Sequence, residues 1–206
     1  AIIPTPLLSL PLFILMSEVL VAAGLGRSLF SGLAPWVGRL PGGLLHVNVV
    51  GSTLFAAVSG SSAATTAIVG KVSLPELEAR GYDRQLAMGS LAGAGTLGFL
   101  IPPSIIMIIY GVVAEVSILE LFVAGVVPGL ALAGLYMGYI ALHQTLTGTQ
   151  PHVAPPSRAE RLQGLVRIGP MAALIVGIMG ALYMGLASVS ELAAVGVLGP
   201  FLGHPC

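Results

Sequence analysis

Ser59-Gly60-Ser61-Ser62 and Gly93-Ala94-Gly95-Thr96-Leu97-Gly98-Phe99-Leu100-Ile101-Pro102-Pro103-Ser104 are the two stretches that decide how this chain folds. Each interrupts an apolar segment with small polar residues, glycine or proline. Inside a bilayer such an interruption leaves backbone N–H and C=O groups without partners, at a cost of several kcal/mol each. It persists only where protein or a polar cavity surrounds it, so the two breaks are the expected functional site.

The bilayer itself is read from composition. Hydrophobic residues make up 56% of the 206, charged residues only 8%, and the mean hydropathy is +1.00. Soluble domains carry about a quarter charged residues, so the chain reads as an all-α polytopic membrane protein. Its 28 glycines and 15 prolines suit closely approaching and broken helices. The formal net charge is zero and no basic face is interleaved with aromatics, which argues against a nucleic-acid partner. Cys206 is the single cysteine, so an internal disulfide is excluded. The chain opens inside one apolar run and closes inside another, as a fragment of a longer protein does.

Outward from the breaks, residues 7–25 are long enough to cross roughly 30 Å of hydrocarbon at about 1.5 Å per residue. Glu18 is explained by a helix end or a neighbouring helix, with a proton or ion relay as the alternative. Arg27 to Gly43 carries Arg39, Pro35, Trp36 and Pro41 and reads as an interfacial loop with Trp36 at headgroup level. The arms on either side of Ser59–Ser62 are each too short to span. One continuous crossing would also put Arg27 and Arg39 opposite Lys71, Arg80 and Arg84, against the positive-inside tendency. A re-entrant hairpin over 44–72 keeps all five on the cytoplasmic side. Ser73-Leu74-Pro75-Glu76 has capping-box spacing, which predicts a short surface helix, with Glu76 and Arg80 paired at i,i+4. Residues 86–113 form a broken span leading to an acidic outer turn at Glu115 and Glu120. Residues 121–142 return inward, 143–167 form a basic cytoplasmic loop, 168–187 span again, and 188–206 begin an incomplete element.

A helix ending at mid-membrane exposes carbonyls, and one starting there presents N–H groups and a positive dipole end. The first break therefore offers oxygens to a cation and amides to an anion, and so does the second. Neither contains a carboxylate, which favours a monovalent cation, sodium, over calcium or magnesium. The expected sodium ligands are Ser59, Gly60, Ser61, Gly93, Gly95, Thr96 and Pro102; Ser61, Ser62, Pro103 and Ser104 are the expected contacts for an organic anion. A small-residue packing patch is the plain alternative for Ser59–Ser62. His46, beside Asn48, reads as a core or interfacial histidine rather than a proton carrier. His143, His152 and His204 have no metal-site spacing. An intramembrane serine hydrolase would need a base near Ser59–Ser62, and His46 lies more than three turns back. A channel or structural subunit is a further alternative.

Specific runs carry a family resemblance. They are Leu10-Pro11-Leu12-Phe13-Ile14-Leu15; Leu40-Pro41-Gly42-Gly43-Leu44-Leu45-His46-Val47-Asn48-Val49; Phe55-Ala56-Ala57-Val58-Ser59-Gly60-Ser61-Ser62-Ala63; Leu74-Pro75-Glu76 with Arg80-Gly81-Tyr82-Asp83; and Gly95-Thr96-Leu97-Gly98 with Ile101-Pro102-Pro103-Ser104. Together they resemble the large membrane subunit of tripartite ATP-independent periplasmic (TRAP) transporters over residues 7 to 196. The resemblance implies an elevator-type, sodium-coupled importer of organic anions, carboxylates or sialic-acid-like sugars, in the bacterial inner membrane. It implies a periplasmic substrate-binding protein and a small four-helix membrane subunit, separate or fused, as partners, and no cofactor besides the coupling ion. It also implies that this chain is the first half of an inverted repeat whose second hairpin and broken helix are not in it. Gly185 to Gly196 resembles a family segment but departs from it at Ser188 and Val189.

Overall fold

The computed structural model describes residues 9–22, 24–147, 157–186 and 191, and the regular elements within them are helices. Expectations that fall on His152, on Pro155-Pro156 and on 188–206 apart from Glu191 lie outside the described residues. Helix α1, Ser9–Ala22, falls within the expected 7–25 span, with Glu18 exposed on it.

The loop expected over Arg27 to Gly43 is corrected by α2, Leu25–Val37. Pro35 and the arginines pointed to a loop, but Leu29, Phe30, Leu33 and Val37 recur at helical spacing and are buried. Pro35 comes near the helix end, where its missing N–H removes a single backbone bond. Helix α2 packs on α8, Arg158–Tyr183, with their backbones nearly touching. A Cβ on Gly32 would stand 2.9 Å from the Gly164 carbonyl oxygen, and one on Gly164 would stand 2.6 Å from that of Gly32.

Helices α3, Leu45–Ser59, and α4, Ser62–Ala79, form the hairpin. Of the 15 residues of α3, 12 are buried, and it touches α1, α2, α4, α8 and the helices α5 and α7 introduced below. It is an arm enclosed by protein on all sides, which explains why it is apolar without a stripe. Helix α4 corrects a second expectation, because no new helix starts at Ser73. Pro75 sits inside a continuous helix, and Ser73 is buried with no bond from its hydroxyl. Val69, Ser73 and Leu77 are buried four residues apart, so packing along one face carries the helix past the proline. Glu76 and Arg80 do pair, at 3.2 Å on an exposed surface.

Asp83 starts α5, Arg84–Gly95, its carboxylate accepting the Leu86 N–H at 2.8 Å. A 3-10 turn follows over Thr96–Phe99, then an irregular segment with a cis Pro102-Pro103 bond, then α6, Ile105–Val113. Helix α7, Ile118–Thr147, is longer than the 121–142 expected, and α8 begins inside the loop expected over 143–167. Its start is a capping box: Ser157 Oγ accepts the Glu160 N–H at 3.1 Å, and the Glu160 carboxylate accepts the Ser157 N–H at 2.6 Å. Reading that stretch by charge alone overlooked the Ser157-x-x-Glu160 signal. Helices α7 and α8 are long and apolar enough to cross a membrane, their most apolar 18-residue stretches having mean hydropathies of 2.1 and 2.0. Arg27 of α2, Lys71 of α4 and Arg167 of α8 line a single cleft of about 950 Å³, so the basic residues of three segments share one side of the helix layer.

Candidate functional site

The hairpin tip is built from its caps. Helix α3 ends because Gly60 adopts the left-handed conformation, φ 61°, while its N–H still reaches the Ala56 carbonyl. Ser61 is extended and starts α4 by accepting the Ala64 N–H on its hydroxyl at 3.3 Å. Ser59 and Thr65, both fully buried, share a hydroxyl bond of 2.9 Å across the turn. Thr66 donates to the Ser62 carbonyl at 2.9 Å. Ser62, Thr65 and Thr66 are three and four apart, so the returning arm turns a hydroxyl-bearing face toward the tip.

The second break docks on this tip through backbone. The Ile105 N–H donates to the Gly60 carbonyl at 3.1 Å. A Cβ on Gly60 would stand 2.7 Å from the Pro103 carbonyl oxygen, and one on Gly98 would stand 2.8 Å from the Ser62 nitrogen. Thr66 fills the space beside Gly95. Ser59 to Ser62, Gly95 and the Pro102-Pro103-Ser104 segment are thereby brought together. Gly93 and Thr96 face elsewhere: the Thr96 hydroxyl donates to the Gly93 carbonyl at 2.7 Å and lies 3.2 Å from the Tyr136 hydroxyl on α7. The expected ligand set is thus split between the tip and the α5–α7 contact.

The cluster contains no charged side chain, and no group of His, Cys, Asp or Glu suited to a metal occurs among the described residues. Its donors to a cation are hydroxyls and carbonyls. Two helix starts, of α4 and of α6, meet there with their positive ends. Ser104, before α6, is fully buried and its hydroxyl has no bonding partner. An orphan hydroxyl between two helix starts is the kind of group a bound ion or substrate completes.

His46 belongs to the other end of α3, where its Nε2–H donates to the Pro41 carbonyl at 2.7 Å. Thirteen residues of helix, about 20 Å, separate it from Ser59. It is no base for the serines of the tip. Asn48 ties the same arm to α5, donating to the Ala87 carbonyl at 3.2 Å and to Ser90 Oγ at 2.8 Å.

Two further side chains hold the hairpin, one at its tip and one at the far end of α3, and neither has a role assigned from sequence alone. Thr65 is one, and the spacing Ser62, Thr65, Thr66 was the available signal. Tyr82 is the other: its buried hydroxyl accepts the Leu44 N–H at 2.9 Å and fixes the entry of α3 to the loop after α4. Burial pushes the Tyr82 phenol above its usual value, offset in part by the Leu44 amide and by the Arg80 charge. A tyrosine directly after the polar Arg80-Gly81 turn was the visible sign.

The chain matches the family described as tripartite ATP-independent periplasmic transporter, DctM component, over residues 1–202. It is 38% identical over 195 residues to the C4-dicarboxylate TRAP transporter large permease protein DctM of Pseudomonas aeruginosa, covering 92% of this chain and 44% of that protein. It is 34% identical over 197 residues to the ectoine/5-hydroxyectoine TRAP transporter large permease protein UehC of Ruegeria pomeroyi, covering 95% of this chain and 45% of the relative. With the isethionate TRAP transporter permease protein DctMQ of Oleidesulfovibrio alaskensis the identity is 32% over 190 residues, 92% of this chain and 30% of the relative. The chain spans less than half the length of these relatives, which are named as permeases rather than enzymes. Matched along nearly its whole length, this chain belongs to the DctM-component family, the large permease subunits of TRAP transporters.

Proposed function

We propose that the protein to which this chain belongs carries out sodium-coupled import of a small organic anion across the bacterial inner membrane. The observation that carries the reading is the docking of the two breaks, Ile105 N–H on the Gly60 carbonyl, in a cluster of hydroxyls, carbonyls and helix starts without a carboxylate. Such a cluster suits one monovalent cation and one anionic group together. A cation crossing the field gains about 2.3 kcal/mol per 100 mV, which one or two ions can spend on uphill uptake. Ser59, Gly60 and Ser61 supply sodium oxygens with Gly95 and Pro102 at the docked tip, Gly93 and Thr96 offer a separate set of oxygens at the α5–α7 contact, and Ser61, Ser62, Pro103 and Ser104 meet the substrate.

The substrate class follows the relatives, whose names give C4-dicarboxylate, ectoine and isethionate. A periplasmic binding protein delivers it, and a small four-helix membrane subunit completes the permease; in one relative, named DctMQ, that subunit is read as fused. The hairpin and broken helix form one half of an inverted repeat that moves as an elevator.

The test is uptake into proteoliposomes by the full-length permease with its binding protein and small subunit. Uptake requires an inward sodium gradient, and undiminished uptake without sodium removes the coupling. Ser61→Ala and Thr96→Ala each raise the sodium concentration for half-maximal uptake. If neither changes it, both leave the ligand set.

A further inference from the structure

The cleft between α2, α4 and α8 lies apart from the hairpin tip and has its own chemistry. Arg27, Lys71 and Arg167 line it, one from each helix, and among the described residues none of the three stands in an ion pair. Glu76 is the one carboxylate among the described residues that line the cleft, and it is already bound to Arg80 at 3.2 Å. Three like charges around one cavity repel each other. The first turn of α2, at Gly24 and Gly26, lines the same cleft and has no side-chain cap on its N–H groups. Phe30, Ile68 and Val72 give the wall its apolar part, beside the hydroxyls of Ser28 and Ser31. At about 950 Å³ the volume is at the upper end of the roughly 300–1,000 Å³ of small-molecule sites.

We propose that this cleft seats the phosphate headgroup of an anionic phospholipid, bound by Arg27, Lys71 and Arg167, with its glycerol and upper chains against Phe30, Ile68 and Val72. Cations and apolar side chains in one lining select an amphipathic anion over a free one. The positive-inside tendency puts these residues at the cytoplasmic leaflet, where anionic lipid meets clustered Lys and Arg. Arginine forks two phosphate oxygens at once, and lysine adds a point charge. A lipid held there wedges between α2 and α4, so the headgroup binds the hairpin's returning arm to the helix that packs on α8.

The experiment uses the purified full-length permease with its small subunit in nanodiscs of mixed phosphatidylglycerol and phosphatidylcholine, with retained lipid read by native mass spectrometry. The permease retains phosphatidylglycerol over phosphatidylcholine by about fivefold or more, on the scale expected for basic residues at an anionic surface. The triple variant Arg27→Gln, Lys71→Gln, Arg167→Gln loses the preference. A control triple, Arg39→Gln, Arg84→Gln, Arg158→Gln, keeps it, with circular dichroism verifying equal helix content. Lys71→Gln alone gives a partial loss and carries the test if the triple variant fails to fold. Equal retention of the two lipids, or equal loss in both triples, overturns the site. A second arm titrates the delipidated permease with inorganic phosphate: phosphate binding without any lipid preference overturns the lipid as occupant in favour of a free anion.

Discussion

Gly60 and Ile105, far apart in sequence, are joined by a 3.1 Å bond from the Ile105 amide to the Gly60 carbonyl, and this bond turns two separate irregularities into one site. Neither residue offers a side chain to the contact. Backbone meets backbone, and what the sequence must provide is the missing Cβ of Gly60, where one would meet the Pro103 carbonyl and the Ile105 side chain.

Gly60→Ala places a methyl 2.7 Å from the Pro103 carbonyl oxygen and holds alanine at a φ of 61°. Gly98→Ala meets the Ser62 backbone at 2.8 Å. Each is expected to destabilise the chain by about 1–3 kcal/mol, whereas Gly89→Ala, with open space around it in α5, stabilises it by up to about 1 kcal/mol. Thermal denaturation in detergent ranks the three. Equal midpoints for Gly60→Ala and Gly89→Ala would refute the docking.

Ser59 and Thr65 form a buried pair: removing the Ser59 hydroxyl leaves that of Thr65 without a partner, whereas Ser59 keeps its longer bonds to the Ser61 backbone when Thr65 is changed. Ser59→Ala and Thr65→Val are each expected to cost about 1–3 kcal/mol. The double variant costs less than the sum by about 0.5 kcal/mol or more. Strict additivity in a double-mutant cycle would mean that the two hydroxyls are not coupled.

Tyr82→Phe strips the Leu44 N–H of its acceptor, at an expected cost of about 1–3 kcal/mol. The pH dependence has a definite sign. The folded phenol titrates above its ordinary value near 10, so its contribution is complete below about pH 10 and is lost as pH climbs through the raised value. Denaturation midpoints at about pH 9 and about pH 11 should therefore fall more for the wild type than for Tyr82→Phe. Parallel slopes would show that Tyr82 does not titrate across folding.

Gly32→Leu drives a side chain into the Gly164 carbonyl and into Ile168, and is expected to cost about 1–3 kcal/mol by prising α2 from α8. Cysteine pairs placed on the two helices would crosslink in the wild-type background and fail to do so in the variant. Crosslinking that proceeds equally well in both would place the helices farther apart than their backbones stand.

What could be read in advance followed backbone chemistry. Ser59 to Ser62 and Pro102 to Ser104 stood out because glycine, proline and hydroxyls in apolar surroundings have few other uses, and the family resemblance rested on the same residues. The extent of α2 and α8 was not legible from charge and proline. Pro35 and Pro75 sit in helices whose buried faces outweigh one lost hydrogen bond, and Ser157 with Glu160 was a helix start within a stretch judged by its arginines. That Thr96 turns to Tyr136 while Gly95 turns to Thr66 depends on helix rotation, which spacing constrains only to a face.

Helix α4 runs without interruption from Ser62 at the buried tip to Ala79 beside the exposed Glu76–Arg80 pair, 18 residues or about 27 Å. Pro75 removes one backbone bond near the outer end, and the stretch from Ser62 to Leu74 before it moves as one rod. Glu78, exposed at that end, is a place from which a spectroscopic label can follow what happens around Ser61 without touching it.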